Sequence, residues 1–419
     1  MYKKIGQVLP HVAILALASV LVCVGLVSAG FFNTSFFHDK GNQVIEHIVR
    51  NHWSAFDEQS VSSSVLPITA QVQANEPTYF SMPFPAQDNI KKVGMHILNV
   101  HELDLASQVI NDLYGVVDAG STDGSSAGST DHSSAGSTLA SNKHTETWQY
   151  ITVPFTLADL DSLNEWQHFF DKARKKRVIP LVRLSTEFKE EAWQQPTRLQ
   201  IVEQISALSR LTWPTDKKHI IIFNEVNHAQ EWGGVIDPIG YADYLHFASH
   251  WAKAEDESFV ILPAAMDLAA PNGSRTTEAF TYLSSMLEHD PEVFSAIDIW
   301  NSHSYPNPAF SAPPTNGGQN SLRGFEKELE FIEQKTGKTY PVIITETGWD
   351  LNNARQPQLA QYYLYALQHI WSDSRVLGVT PFILKGDPGP FEGFGYVDAS
   401  NNPTQQYRAL QWALKELNK

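Results

Sequence analysis

His219-Ile-Ile-Ile-Phe-Asn-Glu-Val-Asn227 and Pro341-Val-Ile-Ile-Thr-Glu-Thr-Gly-Trp349 decide how this chain of 419 residues is read. Each opens with a short run of consecutive apolar residues, the pattern of a strand buried on both faces, as in parallel sheets. Each run ends on a glutamate beside polar residues, Glu225 in one and Glu346 in the other. Two carboxylates delivered from two strand ends supply what cleavage of a glycosidic bond needs, an acid and a nucleophile or base.

Outward from these two, six further runs have the same character. All eight lie at 93–99, 148–154, 178–184, 219–223, 259–263, 296–300, 341–345 and 377–384. Helical patterns fill the spaces between them. Leu322, Phe325, Leu329 and Ile332 share one face, with Gly337 placed to end that helix. Pro357 suits the first turn of a helix carrying Leu359, Tyr363, Ala366 and Ile370, and Tyr407, Leu410, Trp412 and Leu414 belong to a closing helix. Eight such units predict an α/β fold of the (β/α)8 TIM barrel type. A doubly wound sheet fits less well, and no glycine-rich fingerprint follows the first strand to support a nucleotide fold.

Composition sets the boundaries. Apolar residues make up 42% and charged residues 18%, the mix of a globular chain. The net charge of −16 argues against nucleic acid as a partner, because phosphate binding needs clustered Lys and Arg. Residues 1–32 read as a targeting segment: Lys3 and Lys4, then an uncharged stretch from Val12 to Phe32 long enough to cross a bilayer. Val27-Ser-Ala29 also fits a cleavage site, so a signal peptide and a signal anchor both stand, with the length of the run favouring the anchor. Either places the rest outside the cytoplasm, at the cell membrane or secreted. Cys23, the single cysteine, falls inside that run, so the exported part has no disulfide; lipid attachment there competes with a buried membrane residue.

Residues 33–76 read as a stem, with a short helix over 44–56, and residues 77–419 as the catalytic domain. A Ser/Gly-rich insertion at 119–145 carries an eight-residue repeat, Ala119-Gly-Ser-Thr-Asp-Gly-Ser-Ser126 and its copies. Small polar residues of this kind bury no core and predict a surface loop.

Strand counting puts Glu225 at the end of strand 4 and Glu346 at the end of strand 7. Asn-Glu after strand 4, with Glu after strand 7, resembles the clan of retaining (β/α)8 glycoside hydrolases over about residues 90–416. Thr345-Glu-Thr-Gly-Trp349 is similar to the nucleophile segment of endo-β-1,3-glucanases and endo-β-1,4-galactanases. The resemblance implies that Glu225 is the acid/base, that Glu346 is the nucleophile, and that Asn224 hydrogen-bonds the sugar 2-hydroxyl. It also implies that a residue after strand 6, Tyr305 or His303, touches the nucleophile. Arg183 in strand 3 is placed to donate to Glu346 and hold it ionised, or to serve as an ion pair inside the barrel. His96 and Asn99 on strand 1 are further candidates for the cleft. Trp349 and Trp232 are candidate platforms for sugar rings, against ordinary packing behind the site. The clan commonly ends strand 8 on Trp. This chain has Phe382 or Lys385 there, and a lysine at that place would favour an acidic or modified sugar.

No His or carboxylate spacing marks a metal site, Gly-x-Ser-x-Gly is missing, and no cofactor is expected. The expectation is an exported, monomeric glycosidase with a carbohydrate as its partner. Two readings compete with it: a catalytically silent barrel binding glycans or protein at the cell surface, and a transglycosylase remodelling the envelope.

Overall fold

Eight short parallel strands form the frame: β1 (Ile90–His96), β2 (Trp148–Phe155), β3 (Val178–Leu184), β4 (Lys218–Ile222), β5 (Phe259–Pro263), β6 (Trp300–His303), β7 (Val342–Glu346) and β8 (Val376–Val379). The computed structural model describes residues 80–115, 147–352, 358–387 and 389–419. They belong to one compact unit, Pro77–Lys419. The N-terminal segment with Cys23, the stem and its helix, the Ser/Gly insertion and Pro357 lie outside the described residues. Among the described residues no helix is long and apolar enough to cross a membrane.

The strand order is β5-β4-β3-β2-β1-β8-β7-β6. Backbone bonds from Asp298 and Ile299 N–H to Ile261 O (3.0 and 3.3 Å) bring the two end strands together, so the barrel is nearly closed. A helix follows each strand: α1 (Leu103–Leu113), α2 (Leu163–Lys175), α3 (Arg198–Arg210), α4 (Pro238–Glu255), α5 (Ala279–His289), α6 (Gly324–Thr336), α7 (Leu359–His369) and α8 (Gln405–Leu417). Gly337 ends α6 in the left-handed region, φ 70°, as its position predicts. On α8, Tyr407, Leu410 and Leu414 are buried, but Trp412 turns outward.

Inward-facing residues of successive strands build the lower barrel core: Trp148 and Tyr150, Ile179 and Leu181, Ile221, Leu262 and Ile343. Gly94 on β1 lets Tyr150 approach, since a Cβ there would stand 1.9 Å from the Tyr150 carbonyl oxygen.

Three strands depart from the apolar reading. β1 starts at Ile90 rather than at 93 because two lysines are part of it. Lys91 is buried and donates to Asn111 Oδ1 at 2.8 Å, and Lys92 Nζ meets the Val376 carbonyl. β6 covers Trp300–His303, not 296–300, because its buried residues after Trp300 are polar. β8 stops at Val379, earlier than the apolar run suggests.

Candidate active site

At the C-terminal mouth the barrel interior turns from apolar to polar. Residues two apart on a strand share a face. Leu181 is therefore followed inward by Arg183, and Ile343 by Thr345. Beyond β4 the chain bends sharply: Phe223 (φ 70°) and Glu225 (φ 30°) both take left-handed backbone, which costs energy for residues with a side chain. The bend lifts Glu225 over the mouth. Its loop is held by the buried Asn227, whose amide donates to the carbonyls of Asp267 and Thr277 (both 2.9 Å) and accepts from Asp267 N–H (3.1 Å).

Glu346 ends β7 and is buried. Arg183 Nη1 donates both to Glu346 Oε1 (2.6 Å) and to Asn224 Oδ1 (2.7 Å). The Tyr305 hydroxyl donates to Glu346 Oε2 (3.1 Å). His303 Nδ1 meets Glu225 Oε1 at 2.7 Å and stands 3.7 Å from Glu346 Oε2. One ligand-type atom from each of Glu225, His303 and Glu346 lies within 4.8 Å of the others. That spacing would also suit a metal ion. Here, however, the oxygens of Glu346 are already engaged by a guanidinium and a hydroxyl.

The His303 tautomer follows from its neighbours. Asn301 Nδ2 donates to Pro263 O (3.1 Å), which turns its Oδ1 toward the Thr345 hydroxyl (2.6 Å). That hydroxyl spends its proton on Asn301 and offers a lone pair to His303 Nε2 (3.2 Å). Nε2 therefore carries hydrogen, and Nδ1 faces Glu225 across a distance that accommodates one shared proton.

Burial would raise the Glu346 pKa, but His303 and Arg183 outweigh it and hold this carboxyl below the usual range. His96 adds a smaller lowering. Burial first, then Arg183, push its imidazole down to about 3, so it is neutral at pH 7. Burial works to lower the His303 pKa, and the charges of Glu346 and Glu225 overcome it and raise it. Burial and the charge of Glu346 keep the Tyr305 hydroxyl protonated.

The structure thus brings Glu225, Glu346, Asn224, Arg183 and Tyr305 together around a cavity of about 470 Å³, within the usual size of ligand pockets, with His303 buried behind the two carboxylates. The other candidates are corrected. Trp349 is 0% exposed beneath the site, its Nε1 bonded to Ala312 O (2.9 Å) and its ring packed on Tyr362 and Tyr363. Trp232 stands in the cavity wall at 1% exposure, enclosed by Phe223, Tyr241 and Tyr244, with no free face for a sugar. His96 is fully buried 3.6 Å from Glu346 Oε1, so it touches the carboxylate and not the cleft. Asn99 lies beyond β1 and accepts from His101 N–H (3.0 Å) in a short turn. After β8, Phe382 lines the cavity, while Lys385 reaches toward the Ala399 carbonyl (3.5 Å) and removes the basis for an acidic sugar.

Among the cavity residues that the sequence reading missed, Glu231 stands nearest the two carboxylates in its electrostatics. Glu231, six positions after Glu225, accepts from Asn224 Nδ2 (3.3 Å). Burial, then the charge of Glu225, push it up to about 7. Asn224 is therefore pinned on both sides, its oxygen by Arg183 and its nitrogen by Glu231. The only signal for Glu231 was its place between the acid/base motif and Trp232, and no period or spacing set it apart.

A buried carboxylate beside a second one, at the C-terminal mouth of a (β/α)8 barrel, is the arrangement of a glycoside hydrolase. The model of the family described as glycosyl hydrolase catalytic core matches residues 154–405, more than half of the chain, and the chain belongs to that family. It is a glycoside hydrolase built on a (β/α)8 barrel. Among solved structures it is similar to a monomeric β-xylosidase from Caulobacter crescentus CB15 (13% identity, TM-score 0.52, 79% of this chain and 69% of that one). A family 39 glycoside hydrolase from the gut symbiont Bacteroides cellulosilyticus WH2 gives 14% identity and TM-score 0.50 over 80% and 66%. At such identities the likeness concerns the fold alone. No curated protein matches the sequence.

Proposed function

We propose that the protein cleaves β-glycosidic bonds of a polysaccharide or oligosaccharide by double displacement. Glu346 serves as nucleophile and Glu225 as acid/base. The observation that carries this is the spacing of the two carboxylates, with oxygens within 4.8 Å of each other. Retaining enzymes hold their carboxyl groups about 5–5.5 Å apart, whereas inverting ones leave about 6.5–9.5 Å for a water.

The steps follow from the geometry. Glu225 gives its proton to the glycosidic oxygen as Glu346 attacks the anomeric carbon, so the leaving sugar departs neutral and a glycosyl ester forms on Glu346. Glu225, now a carboxylate, takes a proton from water, whose oxygen attacks the same carbon and frees Glu346. Asn224, fixed by Arg183 and Glu231, presents its second N–H to the sugar 2-hydroxyl. Proton NMR in the first minutes of turnover checks the stereochemistry. The β-anomer appearing first supports the reading, and the α-anomer appearing first rejects it.

Arg183→Met tests the electrostatics. Glu346 acts as a carboxylate, and Arg183 holds its pKa down. Without Arg183 that pKa rises, so the acidic limb of kcat/KM should move to higher pH by about 1–3 units. A limb that stays in place in a folded variant removes Arg183 from this role.

We also place the catalytic domain, residues 77–419, outside the cytoplasmic membrane behind the segment 1–32. The basic start and long apolar run support this. Protease added to intact cells should degrade the domain, or the medium should contain it. Recovery only from the cytosol rejects the placement.

A further inference from the structure

We propose that the hairpin after β3 is a sugar-binding platform. Together with an aromatic wall after β8, it makes the site hold an internal stretch of a glycan rather than its end. In the hairpin Phe188–Lys189 pairs antiparallel with Ala192–Trp193. Glu190 and Glu191 form its turn with φ of 51° and 63°, the left-handed pair of a tight two-residue hairpin. Trp193 lines the cavity. Phe188 stands edge-on to it at 5.6 Å between ring centres and is 51% exposed.

The hairpin is anchored to the loop that carries Glu225. Gly233 N–H donates to Trp193 O (2.7 Å), and the base of the hairpin itself is closed by the Thr186 hydroxyl donating to Gln194 O (2.5 Å). On the other side Phe382, Phe391 and Phe394 also line the cavity, with Phe391 45% exposed. Phe382 packs edge-on against Phe391 (5.1 Å) and Phe394 (5.8 Å), and its N–H is tied to Thr347 O beside the nucleophile (3.0 Å).

In an eight-strand ring β3 and β4 stand across from β7 and β8. The two aromatic groups therefore face each other with Glu225 and Glu346 between them. Large aromatic faces left in water at both rims of one cavity are the mark of a ligand groove. Sugar rings present apolar faces that cover them. A glycan with sugars on both sides of the bond between the two carboxylates covers both faces at once.

This inference rests on the glycosidase reading, and its test is separate from that of the nucleophile. The full chain carrying Glu346→Gln is titrated with β-1,3-gluco-, β-1,4-xylo- and β-1,4-galacto-oligosaccharides of two and of six sugars. Tryptophan fluorescence gives the readout. At least one hexasaccharide should bind about tenfold or more tighter than its disaccharide. Trp193→Ala or Phe391→Ala should remove most of that gap, and Trp193→Phe should keep part of it. Phe188→Ala alters an exposed side chain and reports on the platform even where Trp193→Ala fails to fold. Three outcomes overturn the proposal: no hexasaccharide binding, equal binding of two and six sugars, or a gap untouched by every alanine variant. A failure to trap a glycosyl-enzyme counts against Glu346 as nucleophile and leaves this comparison intact.

Discussion

Glu346→Gln should lower kcat on every glycoside by on the order of 10⁴- to 10⁶-fold, the scale on which loss of a nucleophile is felt. The amide keeps the size of the carboxylate and still accepts from Arg183 Nη1, so the variant should fold. It has no charge with which to attack the anomeric carbon. It also leaves Arg183 and His303 facing a neutral group in a buried site, so the melting temperature should drop as well. A 2-deoxy-2-fluoro glycoside with a good leaving group should load the wild-type protein with one sugar, and the labelled peptide should contain Glu346. Wild-type turnover by Glu346→Gln, or a label on another residue, removes the assignment.

Glu225→Ala should cost about 10²–10⁴-fold on substrates whose leaving group needs a proton. The loss in the first step should shrink for a dinitrophenyl glycoside, because that phenolate leaves without help. The glycosyl ester on Glu346 then persists, since no base activates water. Azide needs no deprotonation and fits the space vacated by the side chain. Added azide should restore turnover and yield the β-glycosyl azide. The same loss for good and poor leaving groups, with no azide product, would take the acid/base role away from Glu225.

Most of the barrel was legible because buried parallel strands are apolar on consecutive positions. β3 and β5 were located by that rule to the residue. The rule fails where function or solvation replaces apolar side chains. β6 is polar because Asn301 and His303 belong to the relay beside Glu225, and β1 opens on lysines whose ammonium groups find buried acceptors. In the site, residues next to the two strand ends could be named because strand geometry fixes their direction. Trp232 and Trp349 could not be judged the same way. Each lies past its strand end, where the loop path decides whether a ring meets the cleft or the shell. Glu231, Trp193 and Phe188 sit in loops whose geometry depends on long-range bonds, such as Gly233 to Trp193, that no local pattern encodes.

The loop that carries Glu225 is fastened less to its own strand than to the next one. Asn227 reads the backbone of Asp267 and Thr277, His228 pairs with Asp267 (2.8 Å), and Ala229 N–H bonds to Arg275 O (2.8 Å). For protein engineering this defines the smallest portable piece. Residues 223–232 grafted alone onto another barrel would arrive without the template that gives them shape. Transplanted together with 267–277, they form a cassette that brings its own scaffold, and the same pairing limits which of the two loops a library can randomise independently.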